Sequence, residues 1–243
     1  MGKRPGGALS SRPLYFFWVV DCSGSMEGSK IGTVNNAIQE VIPEMRSAAD
    51  ENPNAQLMVQ TLRFSDGASW IESTPIEIDN FVWKDLDAEG MTDMGKAFDL
   101  LAGRLTIPPM SDRALPPVIV LLSDGYATDD YRDALDDLLK LPWGKKSVRI
   151  AISIGEEADE DMLLNFTGNP ELVLHAYNAA QLTRAIKWAS TAAASVSAPA
   201  SQRNKEDYTD QSVASGPANA MLNMDTKPSE EDEDGDISAE DVW

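Results

Sequence analysis

Apolar residues follow two patterns that alternate along the chain, continuous runs and a helical spacing. Continuous apolar runs at Leu14–Val20 and Val118–Leu122 are typical of strands that are covered on both faces of a sheet. After the first run, apolar residues follow at spacings of three and four, which marks one face of a helix. They are Ile31, Val34, Ile38, Val41, Ile42 and Met45. Pro43 lies within this helix, and we expect it to bend the helix or to end its regular hydrogen bonding early.

The remaining segments continue the alternation of strands and helices. Two extended stretches, Gln56–Phe64 and Ala68–Ile78, flank the turn S-D-G and predict an antiparallel hairpin. A connection with apolar residues at 81, 83 and 86 follows. The later elements are a helix with Met94, Ala97, Phe98, Leu101 and Leu105 on one face, helices near Tyr131–Leu139, Asp159–Phe166 and Ala179–Ala193, and strands at Val148–Ile154 and Leu172–His175. This order predicts an α/β fold, a doubly wound and mostly parallel central sheet with one antiparallel hairpin edge and helices on both faces.

Oxygen-bearing side chains stand where the two buried strands end. Asp21, Ser23 and Ser25 form D-C-S-G-S after the first run, and Asp124 lies in S-D-G after the second. Thr92 stands between them in G-M-T-D-M-G. In such sheets ligands bind beyond the carboxyl ends of the strands, and oxygen ligands suit Mg²⁺ or Mn²⁺. We therefore expect these five side chains to hold a divalent cation that can take one more acidic ligand.

The three motifs, in this order and in these strand contexts, resemble the von Willebrand factor A (VWA) family. The resemblance implies a Rossmann-like fold and a metal-ion-dependent adhesion site (MIDAS) at the five positions. It implies that Ser23 and Ser25 bind the metal directly, and that Thr92 does so in the ligand-ready state. Asp21 and Asp124 would act largely through water or as hydrogen-bond acceptors. A Glu or Asp of a partner protein would then complete the coordination.

The resemblance covers roughly Pro13–Trp188 and is nearest to small bacterial intracellular proteins of the TerY type, which are associated with tellurite resistance. Phrases such as L-R-F-S-D-G-A-S-W, G-M-T-D-M-G-K-A and L-P-W-G-K-K-S-V-R-I-A-I-S-I-G carry it. It implies a protein-binding adaptor or scaffold rather than an enzyme. It further implies a stress-response, tellurite-resistance-like or phage-defence signalling system, with a Ser/Thr kinase and a PP2C phosphatase as partners.

Composition narrows the classes of partner. The formal net charge is −20, from 20 basic and 40 acidic residues, which disfavours binding to nucleic acid or to anionic membranes. A single cysteine permits no intramolecular disulfide and is compatible with a reducing compartment. No apolar stretch approaches the roughly 20 residues that a membrane span needs. We therefore expect a cytoplasmic protein.

The chain divides into three parts by composition. We predict a flexible leader at 1–12, a VWA domain at 13–193 and a disordered acidic tail at 194–243, which is too poor in apolar residues to form a core. A solubilising extension is the ordinary interpretation of such a tail. Ile237, Val242 and Trp243 are nevertheless apolar anchors, able to dock on a partner or on the domain itself. A tail carboxylate, Glu240 or Asp241, could alternatively cap the metal.

Other chemistries receive less support from the sequence. The loop after the first strand lacks the phosphate-loop spacing, because Lys30 is followed by isoleucine, and no dinucleotide-binding glycine motif follows that strand. Catalysis by the motif serines would need a base, and none is evident nearby. We expect Cys22 to be a semi-buried neighbour of the site and His175 to be structural. Two alternatives stay open: a metal-dependent phosphatase or nuclease using the same five residues, and an adaptor subunit for an AAA+ ATPase.

Overall fold

The computed structural model describes residues 11–52, 54–156 and 158–197. Within them, strands alternate with helices as the sequence predicts. The strands are β1 (Arg12–Asp21), β2 (Ala55–Ser65), β3 (Gly67–Trp70), β4 (Ile76–Glu77), β5 (Val118–Ser123), β6 (Val148–Ile154) and β7 (Val173–Ala176). The helices are α1 (Ser29–Asp50), α2 (Met94–Arg104), α3 (Arg132–Lys140), α4 (Pro142–Lys146), α5 (Glu160–Thr167) and α6 (Ala179–Ser197).

The strands form one sheet in the order β3-β2-β1-β5-β6-β7. The pairs β1–β2, β1–β5, β5–β6 and β6–β7 are parallel, whereas β3 and β4 both pair with β2 in antiparallel fashion. The predicted α/β class, with a mostly parallel sheet and one antiparallel edge, is therefore confirmed.

Two apolar cores lie on opposite faces of this sheet. Successive side chains of a strand point to opposite faces, so β1 contributes to both cores. Phe16 and Trp18 pack with residues of α1 and α6, whereas Phe17 and Val19 pack with residues of α2, α3 and α5. All four side chains are fully buried. The continuous apolar run in β1 thus reflects a strand between two helical layers.

The chain leaves β1 and β5 in opposite directions across the sheet. From β1 it passes through α1 to β2 on one side, and from β5 it passes through α3 and α4 to β6 on the other. The register pairs Val20 with Leu122, so the two strands end at the same level, at Asp21 and Ser123. Their carboxyl ends therefore form a topological switch point, where ligands bind in sheets of this kind.

Of the two effects expected of Pro43, an early end of the regular helix does not occur. Helix α1 contains Pro43 and continues to Asp50, over 22 residues. Buried apolar residues lie on both sides of the proline, at Ile42 and Met45. Tertiary packing of such a face contributes most of the stability of a helix in a protein, so one interrupted hydrogen bond does not end it.

The second predicted hairpin strand, Ala68–Ile78, is not continuous. It divides into β3 and β4, which pair with different parts of β2, and residues 71–75 between them belong to no strand. At the break, the backbone N–H of Thr61 donates a 2.7 Å hydrogen bond to the carboxylate of Glu72. A side chain thus supplies an acceptor that the partner strand would otherwise provide. The short helix α4, with Pro142 in its first turn, was not predicted.

Most of the predicted leader at 1–12 and most of the predicted tail at 194–243 lie outside the described residues. Strand β1 begins at Arg12 and α6 ends at Ser197. The proposed tail anchors Ile237, Val242 and Trp243 lie outside the described residues, so they remain predictions. Among the helices of the described residues, none is both long and apolar enough to cross a membrane.

Candidate metal centre

Asp21 organises the loop that follows β1. Its side chain is buried, and its Oδ1 accepts a 2.9 Å hydrogen bond from the backbone N–H of Ser23. Its Oδ2 accepts a 2.6 Å hydrogen bond from the hydroxyl of Ser123 at the end of β5. Burial raises the pKa of Asp21 above its ordinary value, although the hydrogen bonds from Ser123 and Ser23 oppose this change. Each carboxylate oxygen thus already fixes a neighbouring chain segment.

Ser23, Ser25 and Asp124 form a continuous cluster of oxygen atoms. The hydroxyl oxygens of Ser23 and Ser25 are 3.0 Å apart, and Ser25 Oγ donates a 2.7 Å hydrogen bond to Asp124 Oδ1. Ser23 and Asp124 are buried, whereas Ser25 is exposed. The cluster therefore opens to solvent on the side of Ser25.

Thr92 joins this edge of the sheet through its backbone. Gly24 N–H donates a 3.0 Å hydrogen bond to the carbonyl of Gly90, which attaches the Thr92 loop to the loop after β1. On the other side, Thr92 N–H donates to Thr128 Oγ1 at 3.0 Å, and Thr128 N–H donates to the Thr92 carbonyl at 2.9 Å. Among the hydrogen bonds of the described residues, none joins the Thr92 hydroxyl to the other four candidate side chains. All five candidates nevertheless lie on three loops that are bonded together.

Three neighbours of the site were missed by the sequence reasoning. The hydroxyl of Ser123 donates a hydrogen bond to Asp21, and the hydroxyl of Thr128 accepts one from Thr92 N–H. Lys30 Nζ lies 2.7 Å from Asp124 Oδ2. Lys30 is 94 residues from Asp124 along the chain, so no local motif signals the contact. Ser123 had a weak signal, because it directly precedes Asp124 at the end of a buried strand.

The donor atoms fit a small divalent cation. An octahedral cation with metal–oxygen distances of about 2.1 Å requires adjacent ligand oxygens to lie about 3.0 Å apart. The two serine oxygens, which are joined by a hydrogen bond, have this separation. Within the described residues no group of three or more His, Cys, Asp or Glu side chains is placed to hold a metal. The candidate set instead combines two carboxylates with hydroxyls, which suits a hard cation that prefers oxygen.

Cys22 is more deeply buried than expected. Its side chain is inaccessible to solvent, rather than semi-buried, and burial raises the pKa of its thiol to about 12. The thiol is therefore protonated at neutral pH, and a protonated thiol is a poor nucleophile. The pattern of apolar residues in β1 extends through Cys22, which explains its burial.

Two large exposed side chains lie next to candidate ligands along the chain. Met91 directly precedes Thr92 and is 55% exposed, and Tyr126 follows Asp124 by two residues and is 65% exposed. Exposed apolar groups beside open polar groups are typical of protein-binding surfaces. Met91 and Tyr126 are called the apolar rim below.

The protein-family model described as von Willebrand factor type A domain matches residues 17–189 of the chain. The chain belongs to the VWA family. VWA domains are in general metal-dependent protein-interaction modules that bind a divalent cation at the MIDAS. No curated protein matches the sequence at a significant level.

Solved VWA structures share the fold at low sequence identity. A von Willebrand factor type A protein from Catenulispora acidiphila is 16% identical, with a TM-score of 0.57 over 76% of this chain and 43% of that one. The ArnB paralogue VWA2 from Sulfolobus acidocaldarius is 19% identical, with a TM-score of 0.53 over 72% and 44%. Proximal thread matrix protein 1 from the mussel byssus, whose MIDAS motif holds zinc, is 18% identical, with a TM-score of 0.53 over 76% and 46%. The chain spans less than half the length of each, and these likenesses establish the fold.

Proposed function

We propose that this VWA domain is a divalent-cation-dependent protein-binding module and not an enzyme. Its cation, Mg²⁺ or Mn²⁺, is held at a complete MIDAS. The ligand set is Asp21, Ser23, Ser25, Thr92 and Asp124. The partner is a protein that presents a Glu or Asp side chain to the cation.

The observation that carries the proposal is the pair of serine hydroxyls at the switch point. Their 3.0 Å separation suits adjacent ligands of an octahedral cation, and the hydroxyl of Ser25 is oriented by its bond to Asp124. The exposed side of Ser25 gives a partner access. When bound, the cation would act as a Lewis acid that binds an anionic oxygen of the partner.

The protein's own residues prepare this surface in two ways. Asp21 accepts hydrogen bonds from Ser23 N–H and from the hydroxyl of Ser123, so the loop after β1 is joined to the end of β5 before a ligand arrives. The apolar rim, Met91 and Tyr126, offers exposed contact area close in sequence to Thr92 and Asp124. Aromatic residues and Met are enriched in protein interfaces, so the rim supports a protein as the partner.

We further propose a TerY-like role for the domain in a bacterial stress-response or phage-defence signalling system, with a Ser/Thr kinase and a PP2C phosphatase as partners. The support for this role is the sequence resemblance given above. The cytoplasm is the compartment that fits such partners.

Affinity capture from the native host tests the binding function. The full-length chain is used as bait with Mg²⁺ and with EDTA, and Ser25→Ala is compared with Ser29→Ala. Ser29 is an exposed serine in the first turn of α1 and is not a candidate ligand, so it serves as the matched control. We expect a partner that is retained with Mg²⁺, released by EDTA, lost in Ser25→Ala and kept in Ser29→Ala. Capture that is unchanged by EDTA and by Ser25→Ala would contradict the proposal.

A further inference from the structure

Lys30 is not one of the five candidate ligands, yet its ammonium group directly contacts one of them. Its Nζ lies 2.7 Å from Asp124 Oδ2. The Asp124 side chain is fully buried, and that of Lys30 is only 21% exposed. Both partners are thus largely removed from solvent, where an ion pair is less screened than at the surface. The other oxygen of Asp124 accepts the hydroxyl hydrogen of Ser25.

The position of Lys30 within α1 is unfavourable for a lysine. It is the second residue of a 22-residue helix whose first turn contains no acidic residue. The N-terminus of a helix carries a partial positive charge, so a cation there is disfavoured. The contact with Asp124, on the neighbouring loop, offsets this unfavourable interaction with the helix.

We propose that Lys30 is a built-in counter-charge of the metal site, and that it weakens divalent-cation binding while leaving the loaded site with a net positive charge. This inference rests on the proposed metal-binding function. Two carboxylates alone would neutralise a divalent cation, and such a site would have little electrostatic preference for an anion. With the ammonium group of Lys30 added, one positive charge remains. That charge favours an acidic side chain as the incoming ligand.

The same contact predicts opposite effects on stability and on metal affinity. The affinity of oxygen sites for divalent cations depends on the charge of their ligands, so shielding Asp124 lowers it. Removal of Lys30 leaves a buried carboxylate without its cation, which lowers stability when no metal is added. A lysine that merely fastened α1 to the β5 loop would lower stability without raising metal affinity.

The test compares Lys30→Met with Lys96→Met in the full chain. Lys96 makes an ion pair with Asp93 beside the site, and Asp93 is not a candidate ligand, so this control removes the same charge nearby. Mn²⁺ affinity is measured by calorimetry, and melting temperature is measured in EDTA and in excess Mn²⁺. Lys30→Gln, which keeps a polar side chain, is measured in parallel in case the methionine variant does not fold.

We expect the Lys30 variants to bind Mn²⁺ roughly tenfold or more tightly than the wild type, because a like charge has been removed at close range. They should melt lower in EDTA and recover in Mn²⁺, whereas Lys96→Met should follow the wild type in Mn²⁺ affinity. If the wild type binds Mn²⁺ clearly and the Lys30 variants bind it equally or more weakly, the proposed role of Lys30 is wrong. That result would not affect the proposed metal-binding function. Absence of Mn²⁺ binding from the wild type and all variants would overturn the proposed function as well.

Discussion

The hydroxyl of Ser123 donates a 2.6 Å hydrogen bond to Asp21 Oδ2 across the ends of β5 and β1. The two residues are 102 positions apart in the chain, yet both are fully buried at the switch point of the sheet. Asp21 in turn orients Ser23 through the backbone. The bond therefore connects the loop of Asp21 and Ser23 to β5, the strand that leads to Asp124.

Ser123→Ala should weaken metal binding although Ser123 is not a candidate ligand. Groups that orient metal ligands typically contribute roughly 10–100-fold to metal affinity, so we expect a loss of this size for Mn²⁺. The control is Ser153→Ala, because Ser153 is a buried serine that pairs with Ser123 on the adjacent strand β6. Equal Mn²⁺ affinities for the two variants would contradict a positioning role for Ser123.

Asn35 should stabilise the segment that leads to Thr92. This buried residue of α1 donates from Nδ2 to the carbonyl of Leu86 at 3.0 Å, and its Oδ1 accepts from Leu86 N–H and from Trp83 Nε1. Asn35→Ala leaves these groups without partners. We expect a loss of about 2–4 kcal/mol in the free energy of unfolding, measured by urea denaturation. Asn36→Ala, at the adjacent exposed position, should change it by less than about 0.5 kcal/mol.

Glu72 should make stability depend on pH. Burial raises the pKa of its side chain above the ordinary value of 4.5, and the hydrogen bond from Thr61 N–H opposes this only in part. The folded state then binds more protons than the unfolded state between the two pKa values, so stability falls as pH rises through that interval. Glu72→Gln removes the titration and keeps an acceptor for Thr61.

Urea denaturation at several pH values measures this effect. The free energy of unfolding of Glu72→Gln, minus that of the wild type, should increase as pH rises above 4.5 and should then level off. A difference that stays constant, or that decreases with pH, would show that the buried carboxylate is not the cause.

The apolar rim should contribute to partner binding and not to metal binding. Met91→Ala and Tyr126→Ala should each weaken partner capture in Mg²⁺ while leaving Mn²⁺ affinity within about twofold, because neither side chain supplies a hard oxygen ligand of the predicted set. Val82→Ala is the control, since Val82 is 71% exposed but lies in the connection between β4 and α2, ten residues before Thr92. If all three variants capture the partner equally, the rim is not part of the interface.

The sequence predicted the elements whose signal is local. The apolar run of β1 reports burial on both sheet faces, and the spacing in α1 reports the face that packs on the sheet. The five candidate ligands follow from motifs at the ends of β1 and β5 and before α2. Their shared location follows from the rule that ligands bind at the carboxyl ends of parallel strands.

The missed features depend on partners that are distant in sequence. Lys30 looked like part of an incomplete phosphate loop, because only the folded chain brings it to Asp124. At the break between β3 and β4, Thr61 N–H donates to the carboxylate of Glu72, a contact that no period in the sequence reveals. The continuation of α1 past Pro43 depends on packing against the core, which outweighs the local preference of proline.

The oxygen cluster at the ends of β1 and β5 is the site at which we propose that a divalent cation binds. Calorimetric titration of the full chain with Mn²⁺ tests this claim most directly, with Ser25→Ala and its exposed neighbour Ser29→Ala measured beside the wild type. We predict one saturable site in the wild type and in Ser29→Ala, and a loss of affinity of roughly tenfold or more in Ser25→Ala. A wild-type chain that binds no Mn²⁺, or that binds it equally well after Ser25→Ala, would contradict the claim.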